Sequence, residues 1–265
     1  MKNDYLLGLE IGVLWDDEET ITKYTFKKEN ASIDKNEVNI FSQFAQAIAN
    51  KNVGEKVKIN DGAEFKIMYI RNASDIKQFL DQREIKNLYH FTCVENLKSI
   101  LSLGILSKSK LEDRNMRFIS NDTQRLEQRY DYISCSISYP NIKLLNAYKN
   151  RLNARYAIIE IDANVILDKV AMCSPCNAAT YNGYNVKDIG GINELFTGYR
   201  ENLPLQYPTD EQSEILVKDK IDLKYVKRIL FENSDDLKYF ASSVPMLVCQ
   251  EMFKYRSQYL LKFGH

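Results

Sequence analysis

The chain has 265 residues, of which 45% are hydrophobic, and its 36 acidic and 36 basic side chains give a formal net charge of zero. That length and apolar content suffice for two modest cores, and the charge balance argues against a domain that binds DNA mainly through phosphate contacts, since such domains carry a basic excess. No apolar run approaches the length of a membrane span, and Asp4 and Glu10 interrupt the first segment, so we expect a cytoplasmic protein with no membrane association.

The first 73 residues have the pattern of a small α+β domain. Four segments of alternating apolar and polar residues predict strands in two pairs, each pair joined by a turn: residues 9–15 with 20–26, and 57–59 with 65–70. Ser42 is a suitable N-cap for a short helix through Ala49. Residues 74–86 then predict a connecting helix, capped by Ser74, before a second domain over residues 87–265.

The second domain also mixes strands and helices without a regular βαβ alternation. Helices are predicted at 94–103 and 143–149, and strands at 88–91, 133–138 and 156–161 and near Val170, Ile215 and Ile229. This order indicates an α+β fold. No Gly-x-Gly-x-x-Gly sequence is present, so a dinucleotide held as a hydride carrier is not expected.

His90 stands at the junction between the predicted strand 88–91 and the helix that follows it. Thr92 and Glu95 have the spacing of a capping box, and Gly104 is placed to end the helix. The junction therefore places His90, Thr92 and Asn96 near a helix N-terminus, where free N–H groups favour an anionic or ribose-diphosphate ligand. A single His in an apolar strand also fits a hydrogen-bonded core residue, and these residues alone leave that alternative open.

Gln212 and Glu214 stand about 120 residues further along the chain, and Arg125 and Arg129 are among the arginines between them and His90. On a strand, residues two apart point to the same face, so both side chains are expected in one cleft. A carboxylate beside a ribose stabilises the positive charge of an oxocarbenium-like sugar and can accept a proton, which makes Glu214 the candidate catalytic residue. Gln212 would orient the acceptor. A guanidinium, from Arg125 or from Arg129, suits a diphosphate because it can bind two oxygens at once.

Residues 87–253 resemble the DarT family of nucleic-acid-modifying ADP-ribosyltransferase toxins. The motifs that carry the resemblance are Tyr89-His90-Phe91-Thr92, Glu95-Asn96-Leu97, Ile100-Leu101-Ser102-Leu103-Gly104, Asp122-Thr123-Gln124-Arg125, Ile133-Ser134-Cys135-Ser136-Ile137-Ser138, Asn177-Ala178-Ala179 and residues 207–217 around Glu214. The resemblance implies a pair of small sheets framing an NAD cleft and assigns Glu214 to catalysis. It implies NAD binding by His90, Thr92, Asn96 and Arg125, and we favour Arg125 over Arg129 for the arginine.

The acceptor is expected to meet aromatic side chains in the segment before Glu214. Four tyrosines precede it, and aromatic rings stack on unpaired bases: Tyr181, Tyr184, Tyr199 and Tyr207. Since the chain has 17 tyrosines, the alternative that these four simply occupy loops stays open. Cys173 and Cys176 have the spacing of half a zinc site, but no second Cys or His pair accompanies them, so no metal is expected.

The N-terminal domain resembles the C-terminal, FKBP-like domain of the transcription elongation factors GreA and GreB. The motifs are residues 38–42 and 45–57, and in that family the domain docks on RNA polymerase. The acidic coiled coil that stimulates transcript cleavage has no counterpart here, so that activity is not implied.

Together these features predict a mono-ADP-ribosyltransferase that moves ADP-ribose from NAD to a nucleic-acid base, in single-stranded DNA, as a bacterial toxin or phage-defence effector. A macrodomain-type antitoxin is the partner implied by the resemblance. Two alternatives remain: the same chemistry on a protein such as RNA polymerase, directed by the Gre-like domain, or a module that binds NAD or nucleic acid without catalysis.

Overall fold

The computed structural model describes residues 6–7, 9–49, 51–60, 62–120, 129–180, 186–200 and 202–263, apart from the side chain of Ala73. The chain divides into two compact units, unit 1 within Met1–Gln78 and unit 2 within Phe79–His265. No helix in the described ranges is long and apolar enough to cross a membrane.

Unit 1 is built on one five-stranded sheet. Its strands are β1 (Glu10–Trp15), β2 (Thr22–Lys27), β3 (Glu37–Asn39), β4 (Lys56–Lys58) and β5 (Glu64–Arg71), in the order β3-β2-β1-β5-β4. Helix α1 (Gln43–Ile48) packs near β3 and β4, and the Ser42 side chain accepts a hydrogen bond from the Ala45 N–H, as predicted. Buried and exposed residues alternate along β5 because one face of the strand meets the core, which includes Phe65 and Ile67.

A buried ion pair joins the two central strands of unit 1. Glu10 and Arg71 lie directly opposite each other on β1 and β5, and 2.6 Å separate Glu10 Oε1 from Arg71 Nη2. The Tyr69 hydroxyl also donates to Glu10 Oε1, at 2.8 Å. Gly12 lies under the Tyr69 ring, where an added Cβ would come within 2.0 Å of Tyr69 Cε1. The sequence therefore needs glycine at this position.

Helix α2 (Ala73–Gln82) begins one residue earlier than predicted. The Asn72 side chain caps it, because its Oδ1 accepts from the backbone N–H groups of Ser74 at 3.2 Å and Asp75 at 3.3 Å. The prediction that Ser74 is the cap was wrong, since Ser74 is already inside the helix.

Unit 2 contains an eight-stranded sheet and a two-stranded one. The strands of the larger sheet are β6 (Asn87–Cys93), β8 (Tyr132–Ile137), β9 (Tyr156–Asp162), β10 (Ala171–Ser174), β11 (Lys187–Asp188), β12 (Glu214–Lys218), β14 (Val226–Phe231) and β15 (Met246–Val248). The smaller sheet pairs β7 (Ile105–Leu106) with β13 (Lys220–Ile221). The helices are α3 (Leu97–Leu103), α4 (Lys108–Asp113), α5 (Ile142–Leu152), α6 (Val165–Asp168) and α7 (Arg256–Phe263).

The eight-stranded sheet consists of two four-stranded halves. Its strand order is β11-β10-β12-β8-β6-β9-β14-β15, and β6 pairs with β9 along all seven of its residues. Between the halves, β6 pairs with β8 only at Leu88 with Ile137 and at Tyr89 with Ser136. Beyond Tyr89 the two strands separate. The predicted α+β class, with two small sheets framing a cleft, is confirmed in this form.

The chain leaves β6 through a 3₁₀ turn, Val94–Asn96, which leads into α3. The predicted capping box was wrong, because β6 continues to Cys93 and Thr92 is therefore a strand residue. The Thr92 hydroxyl instead accepts a hydrogen bond from Asn96 Nδ2. The predicted stop at Gly104 is confirmed: its φ is +83° and its N–H donates to the Ile100 carbonyl.

Candidate active site

The main cleft of unit 2 opens where β6 and β8 separate. Residues 89–92 of β6 all line it, together with parts of α3, β8 and α5 and the segment 118–120. Glu214, the first residue of β12, also lines this cleft. His90 and Glu214, about 120 residues apart in the sequence, are thus brought together.

His90 bridges the opening between the two half-sheets. The imidazole Nδ1 lies 2.9 Å from the Ser134 carbonyl oxygen on β8. Because a carbonyl only accepts, Nδ1 carries the hydrogen, and in the neutral ring Nε2 is then the accepting nitrogen. This tautomer suits an interaction with a hydroxyl of a ligand, while the same bond gives His90 a structural contact with β8.

Glu214 is held from three sides. It lies opposite Ser174 of β10 and Ser136 of β8 in the sheet register. Its Oε2 accepts a hydrogen bond of 3.0 Å from the backbone N–H of Ala178, and the residue is 7% exposed. A bond from a backbone N–H to a carboxylate is charge-assisted and fixes the direction of the side chain. The carboxylate therefore has a defined position at the cleft.

Cys135 lies between Ser134 and Ser136 and is buried beside this carboxylate. Burial raises the pKa of the Cys135 thiol, and the negative charge of Glu214 raises it further. The protonated thiol is a poor nucleophile, so Cys135 is not a candidate for nucleophilic chemistry in the cleft.

Gln212 does not share a strand with Glu214. The strand β12 begins at Glu214, and the preceding turn is organised by Asp210, whose Oδ1 accepts from the Gln212 N–H at 2.8 Å. The prediction that Gln212 and Glu214 lie on one strand was therefore wrong. Among the described residues that line the cleft, Gln212 does not appear, and its role toward an acceptor stays a prediction.

Thr92 and Asn96 both line the cleft. Asn96 Nδ2 donates to Thr92 Oγ1 at 3.0 Å and to the Ile119 carbonyl at 2.9 Å, while Asn96 Oδ1 accepts from the Ile119 N–H at 2.9 Å. Both amide hydrogens of Asn96 are thus used within the protein. Binding of NAD by Thr92 and Asn96, which the resemblance implies, stays a prediction.

Several predicted residues lie outside the described ranges, namely Arg125, Tyr181 and Tyr184. Arg129 is described, and its guanidinium lies 5.9 Å from the centre of the Tyr132 ring. Of the lysines and arginines in the described ranges, Lys108 lines the cleft, and its Nζ lies 4.9 Å from the centre of the Tyr130 ring. Lys108 had not been predicted as a site residue.

The remaining two predicted tyrosines have opposite environments. Tyr199 is 80% exposed, which leaves its ring open to a partner. Tyr207 is 7% exposed and packs edge-to-face against Tyr139, with ring centres 6.4 Å apart. Base stacking by Tyr207 was a wrong prediction, because this ring belongs to the core of unit 2.

Within the described ranges, no group of three or more His, Cys, Asp and Glu side chains is placed to hold an ion. Cys173 of the predicted half-site is buried, with its Sγ 3.4 Å from the Asp188 carbonyl oxygen.

Comparison with known proteins identifies one family. The family described as ssDNA thymidine ADP-ribosyltransferase, DarT, matches residues 89–254, more than half of the chain. No curated protein sequence matches.

Three solved structures are similar to this chain, each with a TM-score below 0.5. Thermosipho africanus DarTG in complex with ADP-ribose has a TM-score of 0.49 and 16% identity, over 63% of this chain and 51% of that one. Thermus sp. 2.9 DarT in complex with NAD+ has a TM-score of 0.46 and 15% identity, over 64% and 98%. The same Thermus protein with ADP-ribosylated ssDNA gives 0.47 and 14%, over 64% and 97%. The chain thus spans about half the length of the Thermosipho protein.

Proposed function

This chain belongs to the DarT family of NAD-dependent ADP-ribosyltransferases, and we propose that it transfers ADP-ribose from NAD to a thymine base in single-stranded DNA. The observation that carries the proposal is the buried Glu214 carboxylate, bonded to the Ala178 N–H in the cleft that His90 also lines. The base is suggested by the family description, which names thymidine.

The reaction exchanges one glycosidic bond for another. The bond between the ribose C1 and the nicotinamide nitrogen breaks, and nicotinamide leaves with the bonding electron pair. Positive charge develops on the ribose, and the Glu214 carboxylate stabilises it. Thymine in DNA carries one ring N–H, at N3. That nitrogen attacks C1, and its proton passes to Glu214, so charge and atoms balance.

His90 would hold the ribose or nicotinamide end of NAD. Because the Nδ1–H donates to the Ser134 carbonyl, the Nε2 atom can accept a hydrogen bond from a ribose hydroxyl. Thr92 would contact the same part of the substrate, since it lines the cleft two residues away. Arg125 would bind the diphosphate, with Lys108 as a second cation at the cleft.

The acceptor strand would reach the cleft past the segment that precedes Glu214. Tyr199 supports this proposal through its exposure, and Tyr181 and Tyr184 remain candidates in the same segment. Gln212 would orient the base.

We propose a role as a bacterial toxin or phage-defence effector in the cytoplasm, with a macrodomain-type antitoxin as its partner. The family supports the role, and the five cysteines, which are all free thiols, fit a reducing compartment. Unit 1 would bring the enzyme to RNA polymerase, a targeting role suggested by its Gre-like motifs and by the zero net charge, which gives little general attraction to DNA.

Labelled NAD tests the proposal when the protein is incubated separately with single-stranded DNA, duplex DNA, RNA and RNA polymerase. We expect label on single-stranded DNA that contains thymine and none on the same oligonucleotide with every thymine replaced. Label on polymerase alone would overturn the choice of acceptor. If no NAD is consumed under any condition, the result would favour the alternative of a module that binds NAD or nucleic acid without catalysis.

A further inference from the structure

The segment 118–120 forms one wall of the cleft, and we call it the cleft wall. It lies between α4 and β8 and has no regular secondary structure. All three of its residues, Phe118, Ile119 and Ser120, line the cleft. Ile119 is 40% exposed, and its backbone is fixed by polar contacts in addition to partial burial of the segment.

One side chain binds both backbone groups of Ile119. The Ile119 N–H donates to Asn96 Oδ1 and the Ile119 carbonyl accepts from Asn96 Nδ2, each at 2.9 Å. The arrangement resembles one rung of a strand ladder in which a side-chain amide replaces the second backbone. The bond from Nδ2 to Thr92 Oγ1 engages the second amide hydrogen, so the amide has one orientation that satisfies all its partners.

Asn96 is itself firmly placed. It ends the 3₁₀ turn after β6, and the next residue, Leu97, is fully buried. Its carbonyl accepts a hydrogen bond of 2.8 Å from the Ser99 hydroxyl in α3. Thr92, whose hydroxyl accepts the third hydrogen bond of the Asn96 side-chain amide, is 4% exposed. An irregular wall is therefore tied to a rigid anchor.

We propose that Asn96 is a positioning residue that fixes the cleft wall in the shape required for NAD, and that it acts through Ile119 rather than by donating to NAD. This inference rests on the proposed function in its last step, because the cleft must take NAD for the wall to matter.

Amide hydrogen exchange without NAD tests the contact itself. In the full chain, Asn96→Ala should speed exchange of the Ile119 amide by about tenfold, because the variant loses the bond that protects it. Asn96→Asp keeps an acceptor for that N–H and should retain most of the protection. Asn39→Ala is the matched control, since Asn39 binds the Phe41 N–H at 2.8 Å and the Lys28 carbonyl at 3.1 Å in unit 1. It should change exchange at Phe41 and not at Ile119.

Steady-state kinetics test the positioning role. Asn96→Ala should raise KM for NAD by about tenfold and change kcat by less than about twofold, because the Glu214 chemistry is untouched. Unchanged exchange at Ile119 would overturn the proposal, as would faster exchange with an unchanged KM. If the wild-type protein did not use NAD, the proposed function would fail, and the last step of this inference would fail with it. The exchange result would still report on the contact between Asn96 and Ile119.

Discussion

The backbone N–H of Ala178 donates a 3.0 Å hydrogen bond to Oε2 of Glu214, which lies 36 positions further along the chain. This bond fixes the carboxylate before any substrate arrives, and a preorganised charge stabilises a transition state without reorganisation. Glu214→Gln keeps the shape of the side chain and removes the charge. We expect transfer to fall by about 10²–10³-fold, while the dissociation constant for NAD, measured by calorimetry, changes by less than about threefold.

Glu211→Gln is the matched control for that experiment. Glu211 belongs to the turn before β12 and does not line the cleft as described, so its loss should leave transfer at the wild-type rate. A Glu214→Gln protein with full transfer activity would remove Glu214 from the catalytic role.

Replacing His90 should act on binding. His90→Ala removes the ring that faces the cleft, and we expect NAD to bind about tenfold more weakly, since a ribose or nicotinamide contact is present in the ground state. The variant also loses the bond to the Ser134 carbonyl, so thermal unfolding must be measured beside it. A lowered melting temperature with an unchanged dissociation constant would assign His90 to the structure alone.

Substitutions at Tyr199 and Tyr207 should have different effects, the first on DNA modification and the second on stability. Tyr199→Ala changes an exposed ring, so DNA modification should fall by about tenfold, as expected for loss of a stacking contact. NAD hydrolysis without DNA and the free energy of unfolding should stay unchanged. Tyr207→Ala instead opens a cavity beside Tyr139, and we expect a destabilisation of about 3–5 kcal/mol in urea titrations. Loss of both activities in Tyr199→Ala would contradict a role limited to the acceptor.

The ion pair in unit 1 provides a stability test that involves no residue of the cleft. Glu10→Ala leaves the Arg71 guanidinium, 1% exposed as a side chain, without its carboxylate, and we expect unit 1 to lose about 3–5 kcal/mol of stability. Asp16→Ala breaks the exposed pair with Lys56 and should cost less than about 1 kcal/mol. Equal effects of the two variants would show that burial of the first pair has no special energetic weight.

Targeting by unit 1 predicts a binding partner. Deleting residues 1–73 should leave modification of a short oligonucleotide nearly intact but lower modification at transcribed sites in cells, because docking raises the local concentration. The direct measurement is co-purification of RNA polymerase with the full chain and with the truncated one. Equal recovery of polymerase with both, or none with either at micromolar concentration, would contradict the targeting role.

The sequence predicted those features that depend on local pattern. The strand at His90, the helix cap at Ser42 and the stop at Gly104 each follow from hydrophobic period or from the conformation a residue allows, and all three are present. Two predictions of helix caps were wrong because the element boundary lay a residue or two away: Asn72 caps the helix in place of the predicted Ser74, and Thr92 belongs to its strand. Boundaries of this kind depend on tertiary pairing, which the local pattern does not contain.

Contacts over long sequence distances could not be predicted. Nothing near Ile119 indicates that its backbone pairs with Asn96, 23 residues earlier. The alternation of Ser134 and Ser136 could have suggested a polar strand face beside the candidate carboxylate. Tyr207 was expected to stack on a base because it lies in the tyrosine-containing segment before Glu214, yet the core of unit 2 covers it.

The narrow junction between the two half-sheets has a mechanical consequence. His90 belongs to β6 in one half and Glu214 to β12 in the other. Among the described residues, two ladder pairs, the Ser138–Asn87 backbone bond and the His90–Ser134 bond link β6 to β8. A small rotation about Leu88 and Tyr89 changes the separation of the two groups while each half keeps its own ladder. The separation of His90 and Glu214 therefore depends on the geometry of this junction as well as on the two side chains.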